Sequence, residues 1–320
     1  MPTAPPPNPP APAGGLRRAS LIDPQTLMTI KSLELRARIV VEGFWNGLHR
    51  SPYHGFSVEF TEYRQYTPSD DLRYLDWRLF ARSDRYYIKK FEDETNLRCH
   101  LLVDASRSMD YGSTGFTKAS YANTLAATLA HFLHAQGDAI GLLTFDERVR
   151  DYLPARHRTG HLRHLMLALE RPPAGRSTDL STPLKRVVEI VAKRGLMVLI
   201  SDFLTPLANL EKSLLLLTAS GHEVMLFQVL DPAELTFRFD QATVFEDVES
   251  GRELYVDPDA ARSSYLARLT AHNQSVEAVC NQLGAGFRRV STDQPLELML
   301  FDFLRERLQR GKKIRRATGN

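Results

Sequence analysis

Several features that mark whole classes of protein are scarce or missing in this sequence. Its 320 residues include only two cysteines, Cys99 and Cys280, which are too few for a disulfide framework and fit a reducing compartment. No apolar run approaches the roughly 20 residues that a membrane-spanning helix needs. The stretch from Met1 to Pro7 also lacks the apolar centre of a secretory signal. These absences predict a cytoplasmic protein without a membrane span.

An excess of charge of either sign is also missing. Lysine and arginine number 41 against 38 acids, which gives a formal net charge of +3. Bulk charge therefore does not indicate a nucleic-acid-binding protein. The basic excess is local, because residues 310–320 contain lysines and arginines but no acid. Such a tail is typical of a solvated terminus, and weak attraction to an acidic partner or membrane surface is the alternative.

Composition divides the rest of the chain into three further parts. Residues 1–22 hold a large share of the 18 prolines and are predicted to form a disordered, proline-rich arm. Residues 23–95 begin with an amphipathic helix over about 24–48 and continue into a region rich in aromatic and charged side chains. Two short strands in that region are expected to pair as a β-hairpin. Residues 96–309 alternate apolar strands with helical patterns.

This alternation predicts the fold class. Strands and helices that follow one another in this way form a doubly wound, mostly parallel, Rossmann-like α/β sheet with helices on both faces. Short strands at about 233–257, including one at 235–239, are expected as a β insertion at the rim of the sheet. The prediction is therefore an α/β domain preceded by a small region with a helix and a β-hairpin.

Two of the apolar strands end in oxygen-bearing side chains. Asp104, Ser106 and Ser108 follow the first strand at alternate positions, so an extended turn can aim all three at one point. A later strand ends at Asp202, and Thr178 lies in a loop that precedes it. Because ligands bind at the carboxyl ends of parallel strands, we expect these five side chains to meet at one edge of the sheet.

The chemistry of these five side chains indicates a hard cation. Mg²⁺ prefers oxygen ligands in an octahedral arrangement and usually takes only one or two carboxylates, which matches two aspartates and three hydroxyls. Mg²⁺ is the predicted ion, and Mn²⁺ or Ca²⁺ are alternatives. One coordination position would be left for a ligand from outside. Taken singly, Ser106, Ser108 and Thr178 could instead cap the helices that follow them.

The ordered set carries a resemblance. Asp-x-Ser-x-Ser after one strand, Thr-Asp in a loop and Ser-Asp after another strand resemble the metal-ion-dependent adhesion site of von Willebrand factor A domains. Upstream, the succession from Pro68 to Arg78, followed by Ala81-Arg82, resembles the bacterial domain-of-unknown-function fifty-eight family, whose members place it directly before such a domain. Where that family's pattern has glycine, this chain has Ser69, so the turn there is expected to differ.

The resemblance implies a function. In von Willebrand factor A domains an acidic side chain of a partner completes the coordination of the metal, which implies a non-enzymatic, metal-dependent protein-binding adaptor. The family is often associated with MoxR-type AAA+ ATPases, which implies such a partner and a role in the assembly or maturation of other proteins.

Two other function classes stay open. The first is a magnesium-dependent phosphoester hydrolase, although similar hydrolases commonly place an aspartate where this chain has Ser106, and no histidine belongs to the motif. The second is a nucleic-acid-binding module. Acids outnumber bases between Glu59 and Glu94, which disfavours a basic, aromatic groove for single strands in that region.

Overall fold

The computed structural model of the protein describes most of the chain from residue 21 onward. The described ranges are 21–49, 62–65, 87–90, 97–172, 180–239, 243–246, 253–256 and 258–318. Residues 1–20 of the predicted arm at 1–22, most of the aromatic and charged region, and the candidate ligand Thr178 lie outside the described residues. The predictions made for those residues stay predictions.

The described elements are numbered here in chain order. They are α1 (Pro24–Met28), α2 (Leu33–His49), β1 (Glu62–Gln65), β2 (Tyr87–Lys90), β3 (Arg98–Asp104), α3 (Lys118–Ala135), β4 (Ala139–Phe145), β5 (Val149–Arg156), α4 (His161–Leu169), α5 (Ser181–Ile190), β6 (Leu196–Ser201), α6 (Leu207–Ala219), β7 (Glu223–Leu230), α7 (Pro232–Thr236), β8 (Thr243–Glu246), β9 (Glu253–Val256), α8 (Pro258–Gln282), β10 (Gly286–Ser291) and α9 (Leu296–Thr318).

The central sheet confirms the predicted α/β class. Within the described residues it contains six strands in the order β10-β7-β6-β3-β4-β5. All neighbouring pairs from β10 to β4 are parallel, and β5 joins the edge as an antiparallel strand. The chain passes from β3 to β4 on one side and later returns to place β6 on the other side of β3. The crevice between β3 and β6 is therefore the topological switch point, where doubly wound sheets bind ligands.

Both faces of the sheet are covered by helices. Leu101 and Val103 of β3 belong to a buried apolar cluster that also includes side chains of α2, α3 and α9. The intervening residue, Leu102, points to the other face and joins a cluster with side chains of α5, α6 and α8. Each such leucine contributes about 1.5–3 kcal/mol through burial. Burial on both faces explains why β3 is a continuous apolar run rather than an alternating one.

The N-terminal helix prediction needs a correction. The predicted single helix is two helices, α1 and α2, because each of them begins with an N-terminal cap of its own. The Asp23 carboxylate accepts the Thr26 N–H at 2.9 Å, and the Ser32 hydroxyl accepts the Leu35 N–H at 3.2 Å. Side-chain acceptors of this kind satisfy N–H groups that a helix start leaves open. The predicted hairpin is confirmed, since β1 and β2 pair antiparallel.

The rim insertion also differs from its prediction. The prediction of a strand at 235–239 is wrong, because α7 occupies Pro232–Thr236. The Asp231 carboxylate accepts the Ala233 N–H at 2.8 Å, while Glu234 Oε2 accepts the Asp231 N–H at 2.8 Å. This reciprocal capping box, with Pro232 at the first helical position, starts a helix. The two other expected strands exist as the antiparallel pair β8 and β9.

Two absences noted in the sequence can be followed into the structure. Cys99 and Cys280 are free and buried, and they belong to the apolar clusters on opposite faces of the sheet. Among the described helices, none combines the length with the apolar character that crossing a membrane requires.

Candidate metal centre

Asp104 ends β3 with its carboxylate in the protein interior. Only 1% of the residue is exposed. Its Oδ1 accepts the Ser106 N–H at 2.9 Å, and its Oδ2 accepts the Ser201 hydroxyl at 2.6 Å. Burial, followed by the charge of nearby Asp202, raises the pKa of Asp104 to about 7. A second buried carboxylate therefore lies close enough to disfavour ionisation of this one.

Ser106 and Ser108 bring two hydroxyls to the same place. Their Oγ atoms lie 3.1 Å apart. Ser106 is buried and precedes the short 3₁₀ turn Arg107–Asp110, but its side chain makes no capping hydrogen bond there. The alternative in which Ser106 serves as a helix cap is therefore not realised. Ser108 keeps partial exposure and hydrogen-bonds Asp202, which makes it the member of the group closest to solvent.

Asp202 follows β6 and is fully buried. Its Oδ1 accepts the Leu204 N–H at 3.1 Å, and its Oδ2 lies 2.9 Å from Lys118 Nζ. Burial by itself raises the pKa of this carboxyl group. The Lys118 ammonium and the hydrogen bonds nevertheless hold the pKa of Asp202 below its ordinary value. Asp202 is therefore the ionised member of the carboxylate pair.

The loop that carries Asp202 is held rigidly. Phe203 is buried with a φ of 53°, a left-handed conformation that costs a non-glycine residue about 1–3 kcal/mol. Hydrogen bonds on both sides offset that cost. The Phe203 N–H donates to Ser201 Oγ at 3.0 Å, and Gln228 Nε2 donates to the Asp202 carbonyl at 3.0 Å. The ring of His272 contacts the Phe203 carbonyl at 2.9 Å. The Asp202 side chain is thus pre-positioned at the edge of the sheet.

Lys118, the first residue of α3, belongs to the site but was not predicted from the sequence. It is 1% exposed, and its Nζ lies 2.9 Å from Asp202 Oδ2 and 2.6 Å from Glu234 Oε1. Burial opposes the charged form, but Asp202 and then Glu234 raise the pKa of Lys118 above its ordinary value. A signal did exist in the sequence. A lysine in the first helical turn lies near the positive end of the helix dipole, which is unfavourable by about 0.3–1 kcal/mol, so an acidic partner is favoured there.

Glu234 and Asp231 were also missed, and they connect α7 to this edge. The Asp231 carboxylate accepts hydrogen bonds from the Ser113 N–H, at 2.9 Å, and from the Ser113 hydroxyl. These two bonds join the loop after β7 to the loop after β3. Glu234 caps α7 with one carboxylate oxygen and contacts Lys118 with the other. Burial raises the pKa of Glu234, and the Lys118 charge opposes that shift. The rim insertion is therefore coupled to the candidate site by charge.

The structure brings together four of the five predicted ligands. Asp104, Ser106, Ser108 and Asp202 share one edge of the sheet, and Thr178 lies outside the described residues. The shared donors are carboxylate and hydroxyl oxygens, which suit Mg²⁺, and an added cation would relieve the repulsion between the two aspartates. The donor set therefore fits a divalent cation. Lys118 is a cationic group that already contacts Asp202.

Comparison with other proteins gives one family and several relatives. The model of a family described as "Protein of unknown function DUF58" matches residues 62–275. Uncharacterized protein Mb1516 of Mycobacterium bovis is 30% identical over 283 residues, which cover 87% of this chain and 88% of that protein. Uncharacterized protein Rv1480 of Mycobacterium tuberculosis matches with the same identity and coverage.

Solved structures give looser matches. BatB from Bacteroides thetaiotaomicron has 13% identity and a TM-score of 0.44, with 66% of this chain and 98% of that chain covered. The SpRpn10 VWA domain has 12% identity and a TM-score of 0.39, with coverages of 64% and 93%. Neither superposition is close enough to transfer a function, so the function has to be argued from the residues of the site.

Proposed function

This chain belongs to the DUF58 family of proteins of unknown function, and we propose that it is a protein-binding module that grips an acidic side chain of its partner through a divalent cation. Asp104, Ser106, Ser108 and Asp202 would hold Mg²⁺, with Thr178 as a fifth ligand. When bound, the ion would supply an open coordination position to a carboxylate. One observation carries this proposal: two buried aspartates and two hydroxyls converge at the switch point of the sheet.

The charge balance of the site supports a role in binding. The charge of Asp202 disfavours ionisation of Asp104, and a dication would reverse that penalty. Ser108 keeps exposure while Asp104 and Ser106 are buried, so an outside ligand would approach from the side of Ser108. Binding a partner in this way requires neither a nucleophile nor a general base.

The identity of the partner is proposed from the resemblance of the sequence. We propose a MoxR-type AAA+ ATPase, together with a client protein whose assembly or maturation the ATPase drives. We place the protein in the cytoplasm because its two cysteines, Cys99 and Cys280, are free and buried as in proteins of reducing compartments.

The relaxation of water protons by Mn²⁺ tests the proposed mode of binding. Manganese bound to the intact protein should enhance the relaxation rate, and adding poly-glutamate should lower it, because a carboxylate displaces a coordinated water molecule. Asp104→Asn should show neither effect.

Asp138→Asn is the matched control. Asp138 lies at the opposite end of the same sheet, where it accepts the Leu97 N–H at 3.0 Å, so this variant should behave like the intact protein. Poly-glutamate binding that is unchanged by a chelator would contradict the proposal.

A capture experiment tests the partner. The immobilised protein should retain a purified MoxR-type ATPase or its client in Mg²⁺, and should release it in the presence of a chelator or when Asp104 is replaced by Asn. Turnover of simple phosphoesters that is lost in Asp104→Asn would instead favour the hydrolase alternative. Tight oligonucleotide binding that weakens steeply with salt would favour the nucleic-acid-binding alternative.

A further inference from the structure

We propose that Lys118 is the built-in counter-ion of this site, and that its ammonium would leave Asp202 and stay paired with Glu234 when a divalent cation bound. The inference rests on the proposed function, because it assigns a determinant of affinity to the same metal site. It makes Lys118 and Glu234 a pair that sets how tightly the site holds its ion.

Both carboxylate oxygens of Asp202 already have hydrogen-bond donors. Oδ1 accepts the Leu204 N–H at 3.1 Å, and Oδ2 contacts Lys118 Nζ at 2.9 Å. Each oxygen keeps a second lone pair, so a metal ion that took Asp202 as a ligand would lie directly beside one of these donors. The N–H group is fixed to the backbone, whereas the ammonium sits at the end of a flexible side chain.

The charge of the Lys118 ammonium would repel a metal ion bound to Asp202. An ammonium that contacts Oδ2 of Asp202 would stand very close to a dication bound to the same carboxylate. Lys118 and Asp202 are both buried, so little water would screen the repulsion between the ammonium and the dication. The ammonium therefore opposes metal binding as long as it stays on Asp202.

Lys118 has a second carboxylate within reach, that of Glu234. Glu234 Oε1 lies 2.6 Å from Nζ, and Glu234 is fixed in place because its other oxygen caps α7 through the Asp231 N–H. When the ammonium leaves Asp202, it can stay paired with Glu234. A buried charge that keeps a partner avoids most of the penalty that an unpaired buried ion carries. Glu234 thus makes the displacement feasible.

Two substitutions with opposite expected effects test this arrangement. Calorimetric titration with Mn²⁺ should show that Lys118→Met binds the ion about tenfold tighter than the intact protein, because the competing ammonium is gone. Glu234→Gln should bind about tenfold more weakly, because Lys118 then has only Asp202 to pair with. Glutamine still offers an oxygen to the Asp231 N–H, so the cap of α7 is kept. Lys212→Met, an exposed lysine of α6, should match the intact protein.

The outcomes separate this inference from the proposed function. If the intact protein, Lys118→Met and Glu234→Gln bind Mn²⁺ alike while Asp104→Asn does not, the counter-ion role is wrong and the metal site stands. If neither the intact protein nor Lys118→Met binds Mn²⁺, both proposals fall. Circular dichroism will show whether Lys118→Met folds. If it does not fold, Glu234→Gln decides alone: weaker binding supports the inference and unchanged binding overturns it.

Discussion

The chain has a similar sequence pattern at the ends of β3 and β6, but the surroundings of Asp104 and Asp202 shift their pKa values in opposite directions. Asp104 is the last residue of β3 and Asp202 directly follows β6, so each buried apolar strand ends in a carboxylate at the same edge of the sheet. Asp104 is held by a hydroxyl and an N–H group, and its pKa is raised to about 7 by burial and by Asp202. Asp202 contacts an ammonium, which helps to hold its pKa below the ordinary value. The difference comes from Lys118, which lies in α3 rather than at either strand end.

Replacing Lys118 is expected to have the largest effect on stability, because Lys118 is the source of the difference between Asp104 and Asp202. Without metal, Lys118→Met should destabilise the protein by about 3–5 kcal/mol, because the buried carboxylates of Asp202 and Glu234 lose their cation. Urea unfolding measures the loss. Lys212→Met, the same change at an exposed position, should alter the free energy of unfolding by less than about 0.5 kcal/mol. A loss at Lys118 as small as that of the control would contradict the account.

Replacing each aspartate in turn sharpens the comparison. Without metal at neutral pH, Asp202→Asn should cost about 2 kcal/mol more than Asp104→Asn, because only Asp202 pairs with a buried ammonium, whereas neutralising Asp104 relieves repulsion. Parallel urea denaturation of the two variants gives the difference directly. Equal losses, or a larger loss for Asp104→Asn, would show that the two carboxylates are not distinguished as described.

A smaller effect is expected from removing the Ser201 hydroxyl, which donates a hydrogen bond to Asp104. Ser201→Ala removes the hydrogen bond to Asp104 Oδ2 and the acceptor of the Phe203 N–H, which should cost about 1–3 kcal/mol. It should also raise the pKa of Asp104 further, since that hydrogen bond favours the ionised form. Unfolding measurements and carboxyl NMR titration check the two effects. Ser220→Ala at the exposed end of α6 is the control, and a Ser201→Ala variant that matches it would refute the assignment.

The smallest effect is a dependence of metal binding on pH. The pKa of Asp104 is raised to about 7, so a proton and the metal compete for this carboxylate at neutral pH. Affinity for Mn²⁺ should therefore rise with pH below about 7, by at most about tenfold per pH unit, and level off above it. Titrations at several pH values measure the slope. Affinity that falls as pH rises would have the wrong sign.

Much of this arrangement was predictable from the sequence because it depends on local patterns. The apolar run that ends in Asp104 indicates a buried strand and where its carboxyl end lies. The topology of a doubly wound sheet then brings Asp202 to the same edge. The α7 helix had a local signal too, in the Asp231, Pro232 and Glu234 pattern of a capping box, but the prediction of a strand overlooked it.

The ion pairs of Lys118 were harder to predict. Lys118 and Asp202 are 84 positions apart, and Lys118 and Glu234 are 116 apart. No periodicity within one element reports which acid a buried lysine will meet, because that contact depends on how α3 and α7 pack against the sheet. The sequence could flag Lys118 as unusual only through its place at a helix start, where a cation is unfavourable.

Anomalous diffraction from crystals grown with Mn²⁺ tests the central claim most directly. The account predicts one strong peak at the carboxyl edge of the sheet, bonded to Asp104 and Asp202 and to the hydroxyls of Ser106 and Ser108, with Lys118 moved away from Asp202. A manganese-saturated crystal without a peak at this edge, or with its peak elsewhere in the protein, would contradict it.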